Sequence, residues 1–331
     1  MRVEFCASCG APLEARWAEI VIECHYCGCQ NAPGARGEPV PATIPDDGRP
    51  RFGLDGRAYV LQGHLASGDS SEIYRGRWTK RLGELVVIKV LRARADQDLL
   101  RNEFKTLQAL LQSEAQGASH FTRLLPQPIG LGPLRRGDDE RLVSVFRWRS
   151  GFQQTLSEVL SHYPEGLPSR VVVWILKRLL ELLGFTHQAG VVHGAVTPDH
   201  VLIHPRDHGA VLCGWGTATP WSEGRQARLQ ALSRAWLKHY PSTVSRERFV
   251  SPRTDLAMAA RCALLAGGSR SYEDFGPLPP NLGMVLVLAA RGHFDDAWEL
   301  REKVDRESAV AHGPPSYNPI ALPGWDPLPG A

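Results

Sequence analysis

The chain has 331 residues, 43% of them hydrophobic; this exceeds the roughly 100–200 residues typical of one domain and suits one large domain with a small accessory one. Its 38 basic and 35 acidic side chains are interspersed and leave a formal net charge of +3, so composition makes no case for nucleic acid or a membrane as partner. No apolar leader core opens the sequence, and no stretch has the roughly 18 uninterrupted apolar residues of a bilayer span, which reads as a soluble, cytoplasmic protein.

Five of the seven cysteines fall in the first thirty residues. Cys6 and Cys9 form one knuckle and Cys24 and Cys27 a second, and Gly10 and Gly28 follow them directly. A two-residue gap lets both thiolates of a knuckle face one ion, and the glycine permits the tight turn. Residues 1–30 therefore read as a zinc ribbon, a closed and hence structural four-cysteine site, with His25 and Cys29 left outside it. Glu4, Glu14, Glu19 and Glu23 offset Arg2 and Arg16, which argues against nucleic acid as the ribbon's target. Residues 31–52, rich in Pro and Gly, read as a flexible linker.

Beyond the linker, residues 58–66, 72–78 and 84–91 have strand character, the last a β-branched run suited to a central strand. Residues 96–112 carry Leu99, Leu100, Phe104, Leu107 and Leu111 on one helical face. Strands are expected at 121–129 and 142–147 and a long apolar-periodic helix at 168–188. A two-strand insert is expected at 201–204 and 210–213, and further helices at 254–265, 282–290 and 295–306. Residues 221–240 carry Arg225, Arg228, Arg234 and Lys238 among apolar residues at helical spacing, and either an interaction helix or a packed helix with a solvated basic face fits. Strands first and helices second imply an α+β protein of two lobes, 53–150 and 151–310, followed by an irregular Pro-rich tail at 311–331.

Several landmarks in this order resemble a protein kinase. Val86, Val87, Ile88 and Lys89 are similar to the family's Val-Ala-Ile-Lys strand, whose lysine holds nucleotide phosphates. Glu103 stands one helix later, where the resemblance implies an ion-pair partner for that lysine. His193, Gly194 and Ala195 align with the His-Arg-Asp of the catalytic loop, with His200 at the position of its asparagine. Gly214, Trp215 and Gly216 align with Asp-Phe-Gly. Residues 240–243 resemble the end of an activation segment, and Asp255 the buried aspartate of the helix that follows. The architecture resembles ribbon-fused kinase-like proteins of bacteria.

What the resemblance implies for chemistry is loss. Ala195 cannot orient an acceptor hydroxyl, and His200 and Gly214 remove the amide and the carboxylate that hold Mg²⁺. The glycine-rich loop keeps Gly68 but gains Asp69, and Val87 adds bulk above the expected adenine site. Gly194 removes the arginine that reads a phosphorylated activation loop. Lys89, Glu103 and Gly68 are thus a vestigial nucleotide site, with ATP and Mg²⁺ binding weak or absent. His193 and Trp215 are expected to pack against the glutamate-bearing helix, and Asp255 to cap the catalytic-loop backbone.

The expected function is a catalytically inactive scaffold or regulatory module that binds other proteins, such as a kinase, a phosphatase or a larger assembly. An atypical transferase using Asp199, Asp207 or His200, and a ribbon-based adaptor near nucleic acid, are the alternatives.

Overall fold

The structure is a computed structural model that describes residues 2–5, 12–15, 22–23, 30–31, 51–79, 84–136, 139–224 and 226–322. Near the N-terminus, β1 (Arg2–Phe5) pairs antiparallel with β2 (Pro12–Ala15), and β3 (Ile22–Glu23) with β4 (Gln30–Asn31). The expected zinc ligands Cys6, Cys9, Cys24 and Cys27 lie outside the described residues, as do 32–50 and 323–331.

The chain divides into two compact units, the first formed by residues 1–104 and 127–150 and the second by 105–126 and 151–331. The first unit is built on one sheet. β5 (Arg51–Leu54) turns into β6 (Arg57–Ser67), and β7 (Ser71–Trp78), β8 (Leu85–Leu91), β9 (Pro128–Arg136) and β10 (Asp139–Arg147) follow in the spatial order β5-β6-β7-β8-β10-β9, every neighbour antiparallel. β5 begins inside the segment read as linker. Asp55 and Gly56, both at positive φ, make the two-residue turn that sets Leu54 opposite Arg57, as Asp-Gly hairpins do.

Alternation decides what each strand offers. In β8, Val86, Ile88 and Val90 enter a core shared with Leu54, Tyr59, Val143 and Val145, while Val87 and Lys89 are less buried and lie on the opposite face. That parity puts the lysine outside the apolar core.

α1 (Gln97–Leu111) spans the boundary between the units, and α2 (Ala118–Phe121) follows. The strand expected over 121–129 starts only at Pro128. Gly117, left-handed at φ +79°, opens a helical turn instead, and Thr122 donates its hydroxyl to the Ala118 carbonyl, so Phe121 and Leu124 are spent on turns.

The second unit is mainly helical. After β11 (Gln154–Thr155), Thr155 and Glu158 form a reciprocal cap on α3 (Leu156–Ser161). α4 (Ser169–Gln188) is buried along most of its length and packs against the later helices α6 (Pro252–Ala266) and α8 (Ala297–His312), with α7 (Pro280–Ala290) against α6. The loops between α4 and α6 carry β12 (Val191–Val192), β13 (Val201–His204), β14 (Gly209–Leu212), β15 (Thr219–Pro220), β16 (Ala227–Arg228), α5 (Ser242–Glu247) and β17 (Phe249–Val250). β13 pairs with both β14 and β11, β12 with β15, and β16 with β17.

Residues 221–240 are not the expected helix. Among their described residues they form β16 and one short 3-10 turn at Leu237–His239, because Ala227 and Leu229 are consumed in packing beside β17. The Pro-rich tail is irregular, yet residues 313–322 are docked. Ile320 and Leu322 are buried, the Ile320 amide donates to the Pro205 carbonyl, and the Tyr317 hydroxyl donates to the Arg206 carbonyl. No described helix is long and apolar enough to cross a membrane.

Candidate functional site

In the first unit, Lys89 Nζ lies 2.7 and 2.8 Å from the two carboxylate oxygens of Glu103. Glu103 is 3% exposed, and the ammonium also stands 5.3 Å from the Phe146 ring centroid. Burial of this kind makes each charge depend on the other, since removing one partner strands the second in a poorly solvated place. The loop between β6 and β7 is closed on itself. Gly68 donates its amide to the Ser71 carbonyl at 2.8 Å, and Glu72 accepts from Ser67 Oγ, His64 Nε2 and Arg92 Nε. Those hydrogen bonds, that from Ser67 foremost, hold the Glu72 carboxyl at about pKa 2. A side chain at Gly68 would meet only ordinary contact, so space does not require a glycine there.

In the second unit the catalytic-loop equivalent hangs from Asp255, which is fully buried on α6. Its carboxylate accepts the backbone N–H of His193 at 2.8 Å and of Gly194 at 2.7 Å, and approaches His187 Nε2 at 3.0 Å. The expectation that Asp255 caps this loop agrees with that geometry. His193 Nδ1 accepts the Ala195 N–H at 3.2 Å, so its proton resides on Nε2 and points to the Cys213 carbonyl at 3.0 Å. The same ring packs edge-on against Trp215, centroids 4.5 Å apart. His193 and Trp215 thus brace each other.

Ala195, His200 and Gly214, the three positions expected to depart from the kinase pattern, sit side by side. The Ala195 carbonyl accepts from His200 Nδ1 at 2.7 Å, which turns the imidazole toward Gly214. Gly214 is left-handed, φ +81° and ψ 39°. A Cβ placed on it would come within 2.5 Å of His200 Cδ2 and Nε2, closer than atoms pack. The ring therefore fills the volume that any side chain at 214 would need. Gly194 repeats this relation, with φ +74° and a Cβ position 2.3 Å from Leu229 Cδ2. Leu229 is 2% exposed and donates its amide to the Arg248 carbonyl.

The acids considered as replacements are engaged elsewhere. Asp199 accepts the Trp236 indole N–H at 2.6 Å, and the exposed Asp207 lies 3.2 Å from the buried His204. Among the described residues no cluster of His, Cys, Asp and Glu could hold a metal ion; the four N-terminal cysteines are not among them.

Sequence reasoning missed His239. It is almost wholly buried, with Nε2 3.0 Å from the Val196 carbonyl and 3.1 Å from that of Met258, and Nδ1 2.9 Å from the Tyr272 hydroxyl. Burial pushes its pKa down to about 4. Arg261 covers the Tyr272 ring at 4.8 Å and donates to the His239 carbonyl. A lone histidine beside Tyr240 and Pro241 gives no pattern from which this link between loop and helix could be read.

No protein-family model matches the chain. Its sequence is 28% identical over 245 residues to a probable serine/threonine-protein kinase of Streptomyces coelicolor, a match covering 72% of this chain and 33% of that one. It is 30% identical over 149 residues to the serine/threonine-protein kinase pkn3 of Myxococcus xanthus, covering 45% and 25%. The chain thus spans a third or less of the length of these relatives. Among solved structures, vaccinia related kinase 3 superposes with a TM-score of 0.64 at 18% identity, over 83% of this chain and 94% of that one. The fold is protein kinase-like. At these identities the relatives support the kinase-like superfamily, and their names speak for their own activities.

Proposed function

We propose that this kinase-like chain is a catalytically silent module that works by binding other proteins, with structural zinc held by Cys6, Cys9, Cys24 and Cys27. The observation that carries the reading is the His200 ring occupying the side-chain volume of Gly214. Phosphoryl transfer is largely positioning and electrostatics: a carboxylate orients the acceptor and an aspartate with an asparagine holds Mg²⁺ between the phosphates. Here the first is a methyl group at Ala195 and the last two are an imidazole and a hydrogen atom, packed together with no room for a carboxylate. Lys89 and Glu103 then serve as a strand-to-helix tie, and nucleotide binding is weak or absent.

The test is ATP binding by thermal shift and calorimetry, with and without Mg²⁺, alongside phosphate release from ATP. A ligand that binds the native state raises its stability. The expected result is no shift at millimolar ATP and no turnover. Mg²⁺-dependent stabilisation and turnover, both abolished in Lys89→Met, would sink the reading. They would favour a second one, an atypical kinase, to which the intact Lys89–Glu103 pair and the names of the two relatives lend weight. Against it stands the engagement of Asp199 with Trp236 and of Asp207 with His204.

A further inference from the structure

The excess positive charge of this chain is concentrated in the stretch that carries β16, α5 and β17. Residues 226–249 hold five of the 38 basic side chains, Arg228, Arg234, Lys238, Arg246 and Arg248, against Glu247 alone of the 35 acidic ones. The rest of the chain is left with one acid more than base. All six of these side chains are exposed. Elsewhere, exposed cations such as Arg135, Arg253 and Arg291 lie beside carboxylates. No described carboxylate pairs with Arg228, Lys238, Arg246 or Arg248. A partner that brings acids to this stretch therefore gains attraction without having to break an existing pair.

Local structure sets part of that charge beside an apolar side chain. In the β16–β17 ribbon Arg228 stands directly opposite Phe249, and Ala227 opposite Val250. Residues directly opposite share a face. Ala227 and Val250, 3% and 6% exposed, are on the packed face, and Phe249, 41% exposed, is left in solvent next to Arg228. Arg248 closes α5 with φ +62°, and its guanidinium donates to the Gln230 carbonyl at 3.1 Å. That bond ties the cation to the end of β16 and neutralises none of its charge. Val244 is the buried residue of α5. Arg246, two residues further on and so about 200° round the helix, points away from the packed side.

One exposed aromatic means little by itself. With arginines next to it, Phe249 has the composition found where proteins meet, since Arg and aromatic side chains are the ones that carry most binding energy there.

We propose that the β16–β17 ribbon and the end of α5 dock an acidic segment of another protein, one that sets a bulky apolar side chain among its carboxylates. The carboxylates match the guanidinium groups of Arg228, Arg246 and Arg248, and the apolar side chain covers Phe249. Nucleic acid would meet the same cations, but single strands also need aromatic faces on which successive bases stack, and Phe249 is the one exposed aromatic ring in residues 226–249. The inference names a partner class for the binding module proposed above and rests on that reading.

The experiment pans the full chain against a displayed library of random 12-residue peptides and titrates the selected peptides by calorimetry at two salt concentrations. Selected sequences are expected to carry net negative charge with at least one large apolar residue, and to bind more weakly as salt rises. Arg228→Glu combined with Arg246→Glu should weaken them at least tenfold. Phe249→Ser, which reads the apolar contact alone, should weaken them roughly tenfold. Should the charge-reversed variant fail to fold, Arg228→Gln takes its place. No enrichment, enrichment without an acidic bias, or equal binding by the charge-reversed variant overturns the proposal. So does a short DNA duplex that binds as well as the selected peptides and is indifferent to Phe249→Ser, which would make this a nucleic-acid surface. The ATP measurement decides the catalytic reading separately: turnover would sink that reading and leave the selected peptides in place, and a failed selection would leave an absence of turnover standing.

Discussion

Lys89 with Glu103 in the first unit and the Ala195, His200 and Gly214 cluster in the second are held together in opposite ways. The first retains a buried ion pair with both carboxylate oxygens engaged. The second has no carboxylate among its three side chains, and the His200 ring fills the space beside Gly214. A buried pair ties a strand to a helix whether or not nucleotide is present, so it has a structural reason to remain. The second cluster rests on a neutral hydrogen bond and on packing, which leave no charge to be compensated.

This contrast can be broken or sharpened by measurement. The largest expected effect is at the retained pair. Lys89→Met strands Glu103 and should cost about 4 kcal/mol in urea denaturation, and adding Glu103→Leu should recover much of it. Equal losses in single and double variants would mean that the pair is not coupled.

Next comes acid. His239 is held neutral in the folded second unit with a pKa of about 4, against 6.5 unfolded. The unfolded state therefore binds the proton first, and the stability that depends on neutral His239 is complete above pH 6.5 and lost as pH falls to about 4, roughly 3 kcal/mol in all. In the first unit the Glu72 network at the β6–β7 turn responds lower. Its carboxyl is depressed from 4.5 to about 2, so its contribution is lost only between those values. Hydrogen exchange corrected for intrinsic rate should show residues 193–197 losing protection between pH 6.5 and 4 while residues 67–72 keep theirs. The reverse order would contradict the assignment.

The smallest effect concerns the closed cluster. Gly214→Ala should destabilise by roughly 2 kcal/mol, from the left-handed backbone and the contact with His200. In His200→Ala the same substitution should cost less, the difference measuring the contact. Additive costs would show that the imidazole moves aside freely.

How far the sequence reveals these features depends on whether they rest on neighbours in the chain. β8, α1 and α4 follow from local periodicity, and Lys89, Glu103, His193 and Asp255 occupy a legible order. The pairing of Lys89 with Glu103 and the capping by Asp255 agree with what the resemblance implied. The features that were not legible depend on remote partners. The tail is held by Tyr163, Pro205, Arg206 and His208, none adjacent to it. Residues 221–240 have helical spacing, but Leu229 seats against Gly194 and Arg228 pairs with Phe249, and those contacts outweigh propensity. β5 was hidden by its position after a Pro-rich segment, although Asp55 and Gly56 signal the turn.

Gly194 and Gly214 share a consequence for the history open to this chain. The space beside each is filled by a larger residue elsewhere in the sequence, Leu229 for one and His200 for the other. Placing an arginine or an aspartate at either position by one substitution would drive a side chain into an occupied volume from a backbone angle that disfavours it. A larger residue at 194 or 214 needs the neighbour to shrink first, a step that opens a cavity and brings no gain by itself. Two such pairs act as ratchets, coupling what is tolerated at 194 and 214 to what stands at 229 and 200.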